Sequence, residues 1–153
     1  MLPMTDTGNK PRRVYPFVYY SSLIVEGANG IILSELKRHG IEDILPCHGD
    51  LLQVLLSTER ISVSDLAQRT RRTKSTVSVL VEKLVKAGYV CKEKSTEDSR
   101  VTFVRLTEKG KSLEAVMQAV SVTLNDKLTA SLTQEEAAAL EVLLEKVVRA
   151  VKE

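Results

Sequence analysis

Residues 71–89 read Arg71-Arg72-Thr73-Lys74-Ser75-Thr76-Val77-Ser78-Val79-Leu80-Val81-Glu82-Lys83-Leu84-Val85-Lys86-Ala87-Gly88-Tyr89. Val77, Leu80, Val81, Leu84 and Val85 recur at i, i+3, i+4, i+7 and i+8, which predicts a helix with one face packed inward. The opposite face then carries Arg72, Ser75, Ser78, Val79, Glu82, Lys83 and Lys86. A basic entry, short hydroxyl side chains and Gly88 as a stop describe a helix able to lie against a polyanion. They describe equally well an ordinary amphipathic helix with a solvated basic face. The neighbouring segments have to separate the two readings.

Upstream, Ser62 with Asp65 three residues later opens a short helix carrying Val63, Leu66 and Ala67. The polar run 68–72 has neither Pro nor Gly yet reads as a turn. A short helix, a turn of three or four residues and a longer helix is helix-turn-helix spacing. After Gly88 the period changes from helical to two, so 89–94 and 101–106 read as strands around a polar tip at 95–100. Two strands joined behind a helix-turn-helix make the wing of a winged helix.

Charge follows the same boundaries. Between Arg60 and Lys111 there are 13 Lys and Arg against 6 Asp and Glu, a net +7, while the remainder nets −5 and the whole chain +2. A basic centre between acidic flanks is the footprint of a nucleic-acid-binding segment on a neutral scaffold. A charge fluctuation on a solvated surface would give the same count, but not the same position.

The rest of the 153 residues surrounds this centre. Residues 1–14 read as a flexible arm. From Pro16 to Arg38 the pattern is helical but apolar nearly all round, and Gly27 and Gly30 there imply close packing against another element, with a second subunit as the expected source in so small a chain. Gly40 ends that helix, 41–46 connect, and Pro46 suits the first turn of a helix through Leu51, Leu52, Val54, Leu55 and Leu56. Ile61 supplies one short strand. Thr107 caps a long helix with Leu113, Val116, Met117, Val120, Leu124 and Leu128 on one stripe. Thr133 to Glu136 form a capping box for a last helix bearing Leu140, Leu143, Leu144, Val147, Val148 and Val151.

The terminal helices carry more apolar surface than a winged helix needs to cover its own core, and a dimer interface accounts for the surplus. A purely intramolecular three-helix subdomain is the alternative. The expected fold is therefore mainly α, an α+β winged helix, as a single unit over 1–153. Residues 15–45 and 107–153 are its dimerisation helices, and 46–106 its winged helix-turn-helix.

Several function classes find no support. The apolar runs are too short for a membrane span. The first thirteen residues lack the apolar segment of a secretory leader. With only Cys47 and Cys91, this points to a cytoplasmic protein with reduced thiols. An aromatic content of 4% without Trp argues against a stacking platform for single strands. No nucleophile–base pair, phosphate loop or carboxylate pair stands at a usable site, so no enzyme and no cofactor is expected. A zinc site is not expected either: Cys47 and His48 are adjacent rather than spaced, and only His39 remains to join them.

These features together resemble the MarR family of bacterial transcriptional regulators. The resemblance covers nearly the whole chain: helix, helix, helix-turn-helix, wing and two long helices. It is most specific at Lys74-Ser75-Thr76-Val77 and at Leu84-Val85-Lys86-Ala87-Gly88-Tyr89-Val90. It continues through Asp98-Ser99-Arg100-Val101 to Val104-Arg105-Leu106-Thr107-Glu108-Lys109-Gly110. The family's wing pairs an acidic residue and an arginine two apart before a V-x-L-T-x-x-G ending, and both are present. The resemblance implies an obligate homodimer on a pseudo-palindromic double-stranded DNA operator, with two recognition helices in successive major grooves.

On that reading Arg71, Arg72, Thr73, Lys74, Ser75, Thr76, Ser78, Val79 and Lys83 face DNA. Arg72 and Lys74 would take phosphate or guanine, and Ser75, Thr76 and Ser78 would reach base edges. Val79 departs from the long polar or basic side chain many family members have there. It suits a thymine methyl, or is a stray surface apolar residue. Arg100 is placed in the flanking minor groove, held by Asp98. In many family members a small, often phenolic, effector binds between the dimer helices and the winged helix. Tyr15, Tyr19, Tyr20, Cys47 and His48 are the candidates to line such a cavity, with His48 alternatively a capping side chain. Cys47 near a helix start is a candidate redox thiol, although it lies outside the first-helix position of peroxide-sensing relatives. A winged helix used only for protein–protein contact is the rival function; it would need neither a basic recognition face nor an arginine at the wing tip.

Overall fold

The computed structural model describes residues 14–152, together with the backbone of 4–5 and 11–12. Strands β1 (Met4–Thr5) and β2 (Pro11–Arg12) pair antiparallel, Met4 with Arg12 and Thr5 with Pro11. The rest of the expected arm before Val14 lies outside the described residues.

Helix α1 (Phe17–Arg38) is followed by a 3₁₀ turn at Pro46–His48, α2 (Gly49–Leu56), β3 (Ile61–Ser62), α3 (Val63–Arg69) and α4 (Lys74–Lys86). Then come β4 (Val90–Lys94), β5 (Thr102–Leu106), α5 (Glu108–Lys111), α6 (Glu114–Thr129) and α7 (Gln134–Ala150). The small antiparallel sheet has the order β3-β5-β4, with Ile61 opposite Val104 and Val90 opposite Leu106.

The core sits where α2, α3 and α4 meet the sheet. Leu51, Leu52, Leu66, Val77, Leu84 and Val104 are fully buried, and Leu113, Met117 and Val120 of the downstream segment close one side. Helix starts follow the hydroxyl signals in the sequence. Ser62, Thr73, Thr107 and Thr133 each accept a hydrogen bond from the backbone N–H three residues on. Thr133 and Glu136 complete the reciprocal capping box.

Three helices end the same way. After α1, α3 and α4 the chain turns through a left-handed residue at Gly40, Arg71 and Gly88, with φ of 73°, 53° and 83°. Each end closes with a pair of Schellman hydrogen bonds: Ile41 and Gly40 N–H to the Leu36 and Lys37 carbonyls, Arg72 and Arg71 to those of Ala67 and Gln68, Tyr89 and Gly88 to those of Leu84 and Val85. Glycine occupies two of these positions because it lacks a Cβ. At the third, the helix-turn-helix turn itself, an arginine bears the strain.

One expectation needs correction. Thr107 caps not one long helix but the four-residue α5, and α6 begins only at Glu114. The first turn is pinned to the end of α4: Thr107 Oγ1 donates to the Gly88 carbonyl at 2.6 Å, and its N–H to that of Tyr89 at 3.0 Å. Gly110 packs so closely that a Cβ there would stand 2.0 Å from the Tyr89 oxygen. The chain then breaks register through a Leu113 N–H to Gly110 carbonyl bond, an i→i−3 link. At Gly27 and Gly30, among the described residues and apart from the helix's own backbone, no atom lies within 4 Å of a built Cβ, so no other described element of the same chain packs closely against them.

Candidate nucleic-acid interface

The outward face of α4 is polar because its inward face is consumed by the core. Val77, Leu80, Val81 and Leu84 are buried, whereas Lys74, Ser75, Thr76, Ser78, Val79, Glu82, Lys83 and Lys86 are exposed. Thr73 Oγ1 accepts the Thr76 N–H at 3.3 Å and shares hydrogen bonds with the Ser75 and Thr76 hydroxyls at 3.1 and 2.9 Å. Ser78 Oγ donates to the Lys74 carbonyl at 2.8 Å. Among the described residues, the side chains of Lys74 and Lys83 make no hydrogen bond or ion pair.

Arg71 and Arg72 diverge. Arg71 sits at the left-handed turn and is exposed. Arg72 turns back toward α2, where Nε and Nη2 reach the Asp50 carboxylate at 2.8 and 3.3 Å. That forked pair ties the turn to the start of α2 and leaves Arg72 half-buried. No local sequence pattern links positions 22 apart, and Asp50 was not among the expected site residues.

The wing lies alongside. Arg100 donates to Asp98 from its backbone N–H, Nε and Nη2, all at 3.0 Å. The Arg100 side chain is nonetheless 88% exposed. These hydrogen bonds hold the Asp98 carboxyl below its ordinary range. On the α4 side, Lys92 of β4 is ion-paired with Glu82, joining wing and helix. Between them lies an open cleft of about 520 Å³ lined by Lys74, Ser78, Glu82, Lys92, Asp98 and Arg100, among others. The structure thus brings Lys74, Ser78, Asp98 and Arg100 around one cleft.

The expected effector residues are not brought together. Tyr15, Tyr19 and Tyr20 are exposed along the start of α1; Tyr15 stacks on Phe17 and Tyr19 tilts against Tyr20. Cys47 is half-buried. His48 is 2% exposed, and its Nδ1 accepts the Leu45 N–H at 3.0 Å, the capping role weighed above. Its Nε2 is buried without a hydrogen-bond partner among the described residues. Burial, then the charges of Lys83 and Arg72, push the imidazole pKa below its ordinary value, with Asp50 opposing. A smaller cavity of about 140 Å³ does lie between α1, α2 and α6, lined by Ile32, Leu36, Ile44, Gln53, Met117 and Leu124 among others, and by none of the five candidates.

A second cluster has no counterpart among the expected site residues. The Tyr89 hydroxyl donates to Asp43 at 2.7 Å, and burial, then this bond, pushes its pKa up to about 12. Lys109 lies over the Tyr89 ring and donates to the Ala87 carbonyl at 2.7 Å. The end of α4 is thereby fastened to the connector after α1 and to α5. Among the described residues, no three His, Cys, Asp or Glu side chains are grouped as a metal ion would need, and no helix is long and apolar enough to cross a membrane.

A helix-turn-helix packed on a three-stranded sheet, with its hairpin projecting beside the second helix, defines a winged helix. The MarR family model matches residues 39–101, from the end of α1 to the wing tip, and over that stretch the chain is similar to the MarR family. It is 32% identical over 85 residues to the exopolysaccharide II synthesis transcriptional activator ExpG of Rhizobium meliloti, covering 56% of this chain and 43% of that protein. The chain spans about half the length of most curated relatives it matches. Among solved structures it resembles a mutant MarR from E. coli complexed with operator DNA, at 24% identity and a TM-score of 0.77 over 94% of this chain and 99% of that one. It also resembles the S. aureus MepR–DNA complex, at 21% identity and a TM-score of 0.80 over 90% and 99%. These likenesses carry the mostly helical winged-helix fold over nearly the full length.

Proposed function

We propose that this chain is a transcriptional regulator that binds double-stranded DNA sequence-specifically as a homodimer, repressing from a pseudo-palindromic operator. One observation carries the reading: Arg100 projects from the wing tip, exposed but held by Asp98, beside the exposed first turns of α4. An arginine so fixed suits a narrow minor groove while α4 occupies the adjacent major groove. The relatives solved with DNA are consistent with that arrangement. Such a ligand implies a cytoplasmic location.

Dimerisation is supported by the unpartnered apolar surface at both ends of the chain. Helix α7 buries no residue, and Leu140, Leu143, Leu144, Val147 and Val148 are exposed together. Val18, Leu23, Ile24 and Val25 of α1 are exposed as well. The open space at Gly27 and Gly30 would admit a helix from a second copy. We further propose that a small apolar effector releases the operator by entering the cavity between α1, α2 and α6, which joins the two parts of the chain.

The test is footprinting on DNA upstream of the protein's own gene, with a reporter for the sign of regulation. A protected pseudo-palindrome with half-sites about 34–36 Å apart supports the reading. A protein that protects no DNA, yet captures a protein through the α4 face, would replace it.

A further inference from the structure

We infer that Val79 reads the 5-methyl group of a thymine, and that α4 distinguishes A·T from G·C pairs chiefly by this contact. The inference rests on the DNA-binding reading above and adds the chemistry of what α4 recognises.

Val79 is 58% exposed at the middle of the outward face, one turn after Ser75 and one turn before Lys83. From Lys74 to Lys86 the helix contains no Asn, Gln or Arg, the side chains best shaped to grip a purine edge with two hydrogen bonds. The other polar groups of the face are already engaged. Ser78 Oγ donates to the Lys74 carbonyl, and the Ser75 and Thr76 hydroxyls are held to Thr73. Glu82 is paired with Lys92, and Arg72 with Asp50. What remains is the cations Arg71, Lys74, Lys83 and Lys86, suited to phosphates or a guanine edge, and between Lys74 and Lys83 the two methyl groups of Val79.

That arrangement has a directional consequence. Thymine presents a methyl group in the major groove, and burying it against valine removes apolar surface from water on both sides. Cytosine presents an N4 amino donor instead, which Val79 would leave without an acceptor. One contact therefore rewards the A·T pair and penalises the G·C pair. In a two-fold symmetric complex it acts once in each half-site.

The test uses an operator selected by the native protein from a random duplex pool. Each thymine is replaced singly by deoxyuridine, which removes the methyl group and keeps the base pairing. Binding is measured for the native protein and for Val79→Ala and Val79→Thr, with melting temperatures confirming that the variants fold. The expected result is one thymine per half-site whose demethylation weakens native binding about three- to fivefold, the worth of one buried methyl. Val79→Ala should be insensitive at that position, and Val79→Thr, which keeps one methyl, intermediate. Native binding unaffected by any deoxyuridine, or a loss equally large in Val79→Ala, overturns the inference and leaves the DNA-binding reading intact. Failure of the native protein to enrich any DNA overturns both.

Discussion

The Asp98 carboxylate takes three hydrogen bonds from Arg100, one from its backbone N–H and two from its guanidinium, each 3.0 Å long. Both side chains are substantially exposed, so the pair adds little to folding stability. Its effect is to fix a long, flexible cation before any ligand arrives, which lowers the entropic cost of binding.

Removing the clamp while keeping the cation isolates that effect. Asp98→Ala should leave the melting temperature unchanged and weaken operator binding about three- to tenfold, the worth of ordering one long side chain. The salt dependence should stay close to native, because Arg100 keeps its charge. Titration by fluorescence anisotropy at several salt concentrations checks this, and native affinity in Asp98→Ala would show that pre-positioning contributes nothing.

His48 makes stability depend on pH with a definite sign. Its pKa is lowered in the folded protein by burial and by Lys83 and Arg72. As pH falls below about 6.5 the unfolded chain therefore gains a proton first and stability drops, levelling off once the folded imidazole also protonates. His48→Asn can keep an acceptor for the Leu45 N–H and cannot titrate. It should cost about 1–3 kcal/mol at neutral pH through lost core volume. Denaturant melts between about pH 5 and 7 should show a flatter slope for His48→Asn than for the native chain.

Arg71 occupies a left-handed position where the matching helix ends at Gly40 and Gly88 carry glycine. Backbone strain kept at such a place points to a use for the side chain. Arg71→Gly relieves strain but loosens the unfolded chain, so stability should change by no more than about 1 kcal/mol. Operator affinity should nevertheless fall, with a shallower salt slope. A large loss of stability would mean that the arginine serves the fold instead.

The exposed stripe of α7 leads to a fourth kind of variant. Leu143 is 57% exposed in the single chain, so Leu143→Glu should leave the winged helix folded. It should convert a dimer to a monomer and abolish tight operator binding, since one half-site holds roughly the square root of the affinity of two. Light scattering after size exclusion reads the mass directly, and a native chain that is already monomeric would contradict the paired-half-site arrangement.

Much of this architecture was legible because its signals are local. The i, i+3, i+4 recurrence from Val77 to Leu84, the hydroxyl caps at Ser62, Thr107 and Thr133, and the change to period two after Gly88 each involve residues within one or two turns. The Asp98–Arg100 pairing was legible for the same reason. Signals that failed were non-local. The break between α5 and α6 follows from Gly110 pressing on the Tyr89 carbonyl, and the Arg72–Asp50 and Tyr89–Asp43 bonds join positions 22 and 46 apart. Gly27 and Gly30 signalled close packing correctly only if a second copy supplies the partner. Of the residues expected to line an effector cavity, the tyrosines lie along an exposed helix start in the single chain, while His48 is buried.

The most direct measurement compares the native protein with Lys74→Ala and Arg100→Ala on a selected operator over a range of salt concentrations. If α4 and the wing tip engage the duplex together, both variants should bind more weakly. The slope of log affinity against log salt should fall by about one for each phosphate that the variant no longer neutralises in a half-site. Unchanged affinity and unchanged slope in both variants would contradict DNA binding through this face.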